Sequence, residues 1–266
     1  MNCCIIGIGK HSSRNLIPAL QKLQIENLIK IKYLCRNDVL KGDGGLGVPV
    51  INYFPEDIDF LIACGHPSLH QSVIDFSNKT GIPCLVEKPH LIDDQFVNER
   101  VMIGYNFNFM SISPSIKSID TINCGTKGLY KSWQKLFNGP LEKYQHALHS
   151  VIVHPISVIV QKYGAPSKVH LIDESNDDDA NDVNISIELT YSDKTRFVNY
   201  STDYERFEFD IVSGDVVTKC KPYKADSYYN MLKYYVQSNC KPVINNAVTG
   251  KHTLSVINTC LDILEI

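Results

Sequence analysis

The first residues whose spacing points to chemistry are Gly7-Ile8-Gly9, which directly follow a continuous apolar run over residues 3–8 and precede a helical stretch. The first glycine allows a tight turn. The second lets the backbone approach a pyrophosphate held at the positive end of a helix. Lys10, His11 and Ser12 fall in the same turn and are assigned to the same phosphates. Ser12 replaces the third glycine of Gly-x-Gly-x-x-Gly, but it is small and able to cap a helix. The next strand ends Tyr33-Leu34-Cys35-Arg36-Asn37. A carboxylate at that place binds the adenosine ribose of NAD. Here a guanidinium, Arg36, stands instead and suits a 2′-phosphate. NADP is therefore the expected cofactor, ahead of NAD.

A second group is His146, His149 and His154. On one helix, His146 and His149 are three residues apart, and His146, Ser150 and His154 follow at four-residue steps. One face would then present two imidazoles and a hydroxyl. Core packing accounts equally well for His146 and His149. No carboxylate or cysteine completes a ligand set, so no metal is expected. The acidic run over residues 173–182 lacks the glycine at position six and the closing glutamate of an EF-hand, and reads as a solvated loop. The nine cysteines are an odd number without a CxxC pair. Cys3, Cys4, Cys35, Cys64 and Cys84 sit within apolar runs, as buried reduced thiols do.

These groups need elements to position them. Apolar runs at residues 3–8, 29–35, 58–63, 83–86 and 101–105 read as buried parallel strands. Helical patterns at 12–23 and 68–80 alternate with them, which predicts an N-terminal doubly wound parallel sheet of the Rossmann type. After a helix predicted at 113–119 the pattern changes. Strands are expected at 129–137, 168–173, 183–191, 195–202, 206–212 and 215–220, with hairpin turns at Tyr191-Ser192-Asp193-Lys194 and Ser213-Gly214. Helices at 227–237 and from 248 to the end complete an α+β domain with a largely antiparallel open sheet. The expected division is 1–120 for dinucleotide binding and 121–266 for substrate binding and oligomerisation.

The chain has 266 residues, 44% hydrophobic and 21% charged, with a net charge of −3. That balance supports a core and disfavours nucleic acid or an anionic membrane as partner. No signal peptide or membrane-spanning run is seen, so a soluble, cytoplasmic protein is expected.

A more specific pattern lies at Asp59-Phe60-Leu61-Ile62-Ala63-Cys64-Gly65-His66-Pro67, followed by His70 and by Gly81-Ile82-Pro83-Cys84-Leu85-Val86-Glu87-Lys88-Pro89. Gly7-Ile8-Gly9, Gly104-Tyr105-Asn106, His154 ten residues before Gly164, and a tail with Pro242 between two helices extend it. With these features the chain resembles the Gfo/Idh/MocA family of NAD(P)-dependent oxidoreductases, as a short and divergent member. The likeness runs over nearly the whole chain and is most specific at Glu87-Lys88-Pro89.

The resemblance implies a Rossmann domain and a second domain whose open sheet covers the active site and often mediates homo-oligomerisation. It implies hydride exchange between a nicotinamide and a hydroxyl-bearing carbon of a sugar, cyclitol or nucleotide-sugar. It makes Lys88 the catalytic lysine, its ammonium disfavoured at the end of a buried strand beside an oxidised nicotinamide. His154 becomes the proton-transfer partner. Cys64, His66, Pro67, His70, Glu87 and Lys88 join the cofactor contacts. Tyr105, Asn106, Asn108, His149 and Ser150 are assigned to the substrate. The chain departs from the family pattern at Ser150 and Ser157, where active members commonly carry aspartates, and at Asn108, where arginine is frequent. Those departures leave two other readings open. One is a catalytically silent cofactor-binding sensor or partner subunit. The other is a reductase of a non-sugar compound such as a linear tetrapyrrole or a dihydrodiol, for which fourteen tyrosines and ten phenylalanines leave room.

Overall fold

The computed structural model describes residues 1–36, 45–88, 99–110, 116–127, 142–175, 182–220 and 225–264. In chain order the elements are β1 (Asn2–Ile6), α1 (Lys10–Arg14), α2 (Leu16–Ile25), β2 (Lys30–Cys35), β3 (Val50–Ile51), β4 (Phe60–Ala63), α3 (His70–Thr80), β5 (Cys84–Val86) and β6 (Val101–Ile103). They continue with β7 (Thr121–Lys127), α4 (Glu142–Ala147), α5 (Val153–Tyr163), β8 (Lys168–Asp173), β9 (Asn184–Thr190), β10 (Thr195–Ser201), β11 (Asp203–Ser213), β12 (Val216–Lys219), α6 (Ala225–Gln237) and α7 (Ala247–Leu264). The chain forms two compact units, Met1–Phe109 with Tyr223–Lys251, and Met110–Pro222 with His252–Ile266. Where a single cut is expected after residue 120, the tail is instead shared between the units.

In the first unit six strands pair in parallel in the order β3-β2-β1-β4-β5-β6. Every residue of β4 and β5 is buried, which is why these strands read as unbroken apolar runs rather than alternating ones. The order reverses at β1, whose neighbours are β2 on one side and β4 on the other. At such a point a crevice opens beyond the carboxyl ends of the strands. The helix expected over 12–23 is two helices that break at Asn15. Pro18 is the cause: it has no N–H for the Arg14 carbonyl, and its ring crowds that carbonyl.

The tail returns to this unit because α6 carries an apolar stripe. Tyr228, Met231, Leu232 and Tyr235 enter the same core as Leu16, Leu20, Phe60 and Met102. Tyr235 lies edge-on to Phe60 with ring centroids 5.8 Å apart, and its buried hydroxyl donates to the Arg100 carbonyl at 2.9 Å. Beyond α6, Asn245 adopts the left-handed region at φ 57°, which asparagine tolerates better than most residues. Its amide donates to the Tyr105 carbonyl (2.8 Å), its side-chain oxygen accepts from Asn108 (2.6 Å), and its carbonyl accepts from the Ile103 N–H (2.8 Å). Asn245→Ala removes two of these bonds inside the core and is expected to cost about 2–5 kcal/mol in urea unfolding. Asn239→Ala, also at positive φ, is the control for backbone strain alone. A loss below about 1 kcal/mol for Asn245→Ala would show that the clasp is dispensable.

The second unit holds a sheet in the order β12-β11-β7-β10-β9-β8. Only β7 and β10 pair in parallel; the other neighbours are antiparallel. Along β9 and β10 buried residues alternate with half-buried ones, so one face packs and the other stays open. The expected hairpin turn closes with the Tyr191 N–H on the Lys194 carbonyl at 3.0 Å. The strand expected at 129–137 lies outside the described residues, as does the first part of the helix expected at 113–119; residues 116–119 are not helical. The fold is thus a parallel Rossmann-like sheet plus a mixed, mostly antiparallel one.

Candidate functional site

The carboxyl edge of the parallel sheet gathers most of the residues singled out from the sequence. Gly7 follows β1 with φ +76°, and a Cβ added there would stand 2.6 Å from the Gly65 Cα. Glycine is needed twice over, for the backbone angle and for the approach of two main chains. The Gly7 N–H is held by the Cys35 carbonyl at 3.0 Å. Around a Cβ placed on Gly9 there is no atom within 4 Å, so this side of the turn is open. Lys10 and His11 open α1. Ser12 is buried, and its hydroxyl accepts from the Gly9 N–H (2.8 Å) and donates to the Gly9 carbonyl (3.0 Å). The serine thus occupies the third-glycine place by folding its side chain back onto the turn.

Cys64 directly follows β4 and donates its thiol to the Gly7 carbonyl at 2.9 Å, which ties the turn to the end of the neighbouring strand. Burial, assisted by the negative charge of Glu87, pushes this thiol up to about 12, so it stays protonated. His66 caps the tight turn Pro67–Leu69: its Nδ1 accepts from the Ser68 N–H at 3.2 Å. Pro67 takes the first position of that turn, where its missing N–H is not needed. His70 is buried at the start of α3. On the other side of β1, Arg36 directly follows β2, with its N–H on the Ile51 carbonyl at 2.8 Å.

Glu87 and Lys88 follow β5 and are both buried. The Glu87 N–H bonds the Ala63 carbonyl (2.9 Å), and the Gly104 N–H bonds the Val86 carbonyl (2.8 Å), so the pair is fixed between β4 and β6. A Cβ on Gly104 would stand 2.5 Å from Glu87 Oε1. Gly104 therefore leaves the space that the Glu87 side chain fills. Desolvation raises the Glu87 carboxyl and lowers the Lys88 ammonium, and the charge of each partner opposes the shift of the other. Among the described residues neither Glu87 oxygen has a well-formed hydrogen bond.

Tyr105, Asn106 and Asn108 are buried too, and their polar groups meet the returning tail. Asn106 donates to Ser227 Oγ at 3.0 Å, while Asn108 and the Tyr105 carbonyl meet Asn245 as described above. Two further residues of this edge, Gly65 and Gly104, have roles that spacing does not reveal. The available signal was a glycine immediately after a strand end.

In the second unit His146 lies on α4, His149 and Ser150 in a wide turn over Leu148–Ile152, and His154 on α5; all four are buried. The Val153 N–H reaches back five residues to Leu148, so the one regular helix expected here is interrupted. Pro155 has no N–H for the Val151 carbonyl, and the chain widens a turn rather than break. Burial pulls the His149 imidazole down to about 4, so it is neutral at ordinary pH. The Ser157 hydroxyl donates to the His154 carbonyl at 2.7 Å and so serves its own helix. Among the described residues no cluster of His, Cys, Asp or Glu is arranged to hold a metal, and no helix is long and apolar enough to cross a membrane.

No protein-family model and no curated protein matches the chain in sequence. Solved structures match it in shape. A dehydrogenase from Chromobacterium violaceum superposes with a TM-score of 0.74 at 17% identity, over 98% of this chain and 94% of that one. A UDP-N-acetylglucosamine 3-dehydrogenase from Acidithiobacillus ferrooxidans gives 0.73 at 12% identity, over 97% and 96% of the two chains. An oxidoreductase from Agrobacterium radiobacter, solved with NAD+, L-tartaric acid and magnesium, gives 0.70 at 11% identity, over 97% and 94%. The chain has the fold of the oxidoreductases of the Gfo/Idh/MocA type.

Proposed function

We propose that the protein is a nicotinamide-dependent oxidoreductase that prefers NADP to NAD and acts on a secondary alcohol or ketone of a sugar-like or nucleotide-sugar substrate. One observation carries this reading. A buried carboxylate–lysine pair and a glycine turn open at Gly9 share the carboxyl edge of a single parallel sheet whose order reverses between them. The open side of the turn at Gly9 and the buried Glu87–Lys88 pair fit a dinucleotide. Gly7, Gly9, Lys10, His11 and Ser12 would hold its phosphates, Arg36 its 2′-phosphate, and Cys64, His66, Pro67, His70 and Glu87 would border the rest.

When bound, a nicotinamide supplies the hydride acceptor or donor. The chain supplies the proton chemistry. Burial makes the Lys88 amine easier to keep neutral, and a neutral amine takes the hydroxyl proton of an alcohol or returns it to a carbonyl oxygen. His154 is the proton-exchanging group of the second unit in this reading, with His149 and Ser150 assigned to the substrate.

Titration of NADP+ and NAD+ by calorimetry tests the cofactor. Arg36→Ala is expected to weaken NADP+ by ~10- to 100-fold, the worth of a charge-assisted hydrogen bond, and NAD+ by less than about threefold. No affinity for either nucleotide would end the proposal; tighter NAD+ binding would end the NADP preference.

One observation favours a second reading, a cofactor-binding protein without turnover. The Ser157 hydroxyl, at the place of a family aspartate, is spent on the His154 carbonyl and brings no charge to the imidazole. NADPH binding with no turnover across sugar and nucleotide-sugar panels would select it.

A further inference from the structure

Glu87 stands directly after β5 beside Lys88, and a lysine acting as proton carrier does not by itself need a buried carboxylate next to it. The residue is 4% exposed, neither oxygen has a well-formed hydrogen bond among the described residues, and its place is kept open by Gly104. Among the described residues, the charge of Lys88 beside it lowers its carboxyl, its own charge raises the Cys64 thiol just past β4, and Gly104 just past β6 packs against its side chain. Cys64 is protonated, so of these three groups Glu87 and Lys88 are the ones that carry charge. With one proton between carboxylate and amine the pair is neutral, whichever group carries it. With none it has a charge of −1: a carboxylate next to a neutral amine. In a desolvated site that anionic state is unfavourable unless a cation is at hand.

The oxidised nicotinamide ring is such a cation and the reduced ring is not. We propose that Glu87 discriminates the two redox forms of the cofactor: binding of the oxidised form expels one proton from the Glu87–Lys88 pair to solvent, and the reduced form binds with that proton retained. This rests on the nicotinamide-dependent reading above. No bond to carbon forms or breaks in the step; a single proton passes from the pair to the buffer. The state left behind has Lys88 as a neutral amine, ready to accept the proton of an alcohol. Arrival of the oxidised cofactor therefore arms the base, and the reduced cofactor leaves an acid in place for the reverse direction.

The test is calorimetric titration of NADP+ and of NADPH into the whole protein in phosphate and in Tris, whose ionisation heats differ. The buffer dependence counts protons released per ligand bound. The expected result is that NADP+ releases more protons than NADPH, by a difference approaching one near neutral pH. In Glu87→Gln, which keeps the shape, that difference should vanish, and NADP+ affinity should fall by ~10-fold or more with NADPH changed less than about threefold. Equal proton counts for the two forms in the wild-type protein would overturn the proposal while leaving cofactor binding intact. A proton difference that survives in Glu87→Gln would overturn it as well. Absence of binding by both forms would overturn the nicotinamide reading itself, and this inference with it.

Discussion

Lys88→Met is expected to lower kcat by ~10²- to 10⁴-fold, the usual contribution of a positioned acid or base, while cofactor affinity stays within a few-fold of wild type. Methionine keeps most of the volume and suits a buried site, so the substitution removes the amine rather than the packing. It also leaves Glu87 to take its proton and become neutral, which a desolvated carboxyl does readily. The wild-type pH profile gives a second reading of the same group. Lys88 lies below the ordinary lysine value of 10.5 because of burial. A lowered value keeps the amine neutral down to lower pH, so kcat/KM for alcohol oxidation should rise with pH and level off well before that ordinary value. The charge of Glu87 opposes the lowering, and Glu87→Gln should therefore move the rising limb to lower pH. A Lys88→Met protein with undiminished kcat on a substrate that the wild type turns over would remove lysine from the mechanism.

How much of this was legible in the sequence depended on what kind of force fixed each part. Strands buried on both faces announce themselves: the runs at 58–63 and 83–86 correspond to β4 and β5 because nothing polar can enter either face. The strand β3 has only Val50 and Ile51, too short for any period, and it forms because β2 offers a free edge. The seven residues of β7, Thr-Ile-Asn-Cys-Gly-Thr-Lys, are too polar to read as a central strand, yet β10 and β11 pair on both sides of it. Propensity was overridden there by tertiary pairing. The sequence also held Pro18 and Pro155 in view, but proline alone does not say whether a helix stops, splits or widens. In α1–α2 it splits and at Leu148–Ile152 it widens, and the difference lies in packing that spacing does not encode. The candidate site was clearest at Gly7, Glu87 and Lys88, where a turn glycine and a strand-end motif stand out without reference to distant neighbours. It was least legible where one residue serves another far along the chain: Asn106 with Ser227, Asn108 with Asn245, Gly104 with Glu87.

That distinction between a residue kept for the fold and one kept for a ligand can be measured on the two glycines of the first turn. Gly7→Ala is expected to destabilise the first unit by about 2–5 kcal/mol, combining the left-handed backbone strain with an overlap against the Gly65 Cα that neither main chain can relieve alone. Gly9→Ala meets no atom of the protein within 4 Å and has no positive φ, so its unfolding midpoint should match wild type within about 0.5 kcal/mol. Its methyl group projects into the open side of the turn, where a pyrophosphate must lie against the backbone. Dinucleotide affinity should therefore fall by ~10-fold or more in Gly9→Ala although the fold is untouched. Urea unfolding and calorimetric binding on the same two proteins separate the effects. If Gly9→Ala bound NADP+ and NAD+ as tightly as wild type, the open space beside Gly9 would be a surface of the turn and nothing more, and the phosphates would have to be placed elsewhere on the edge.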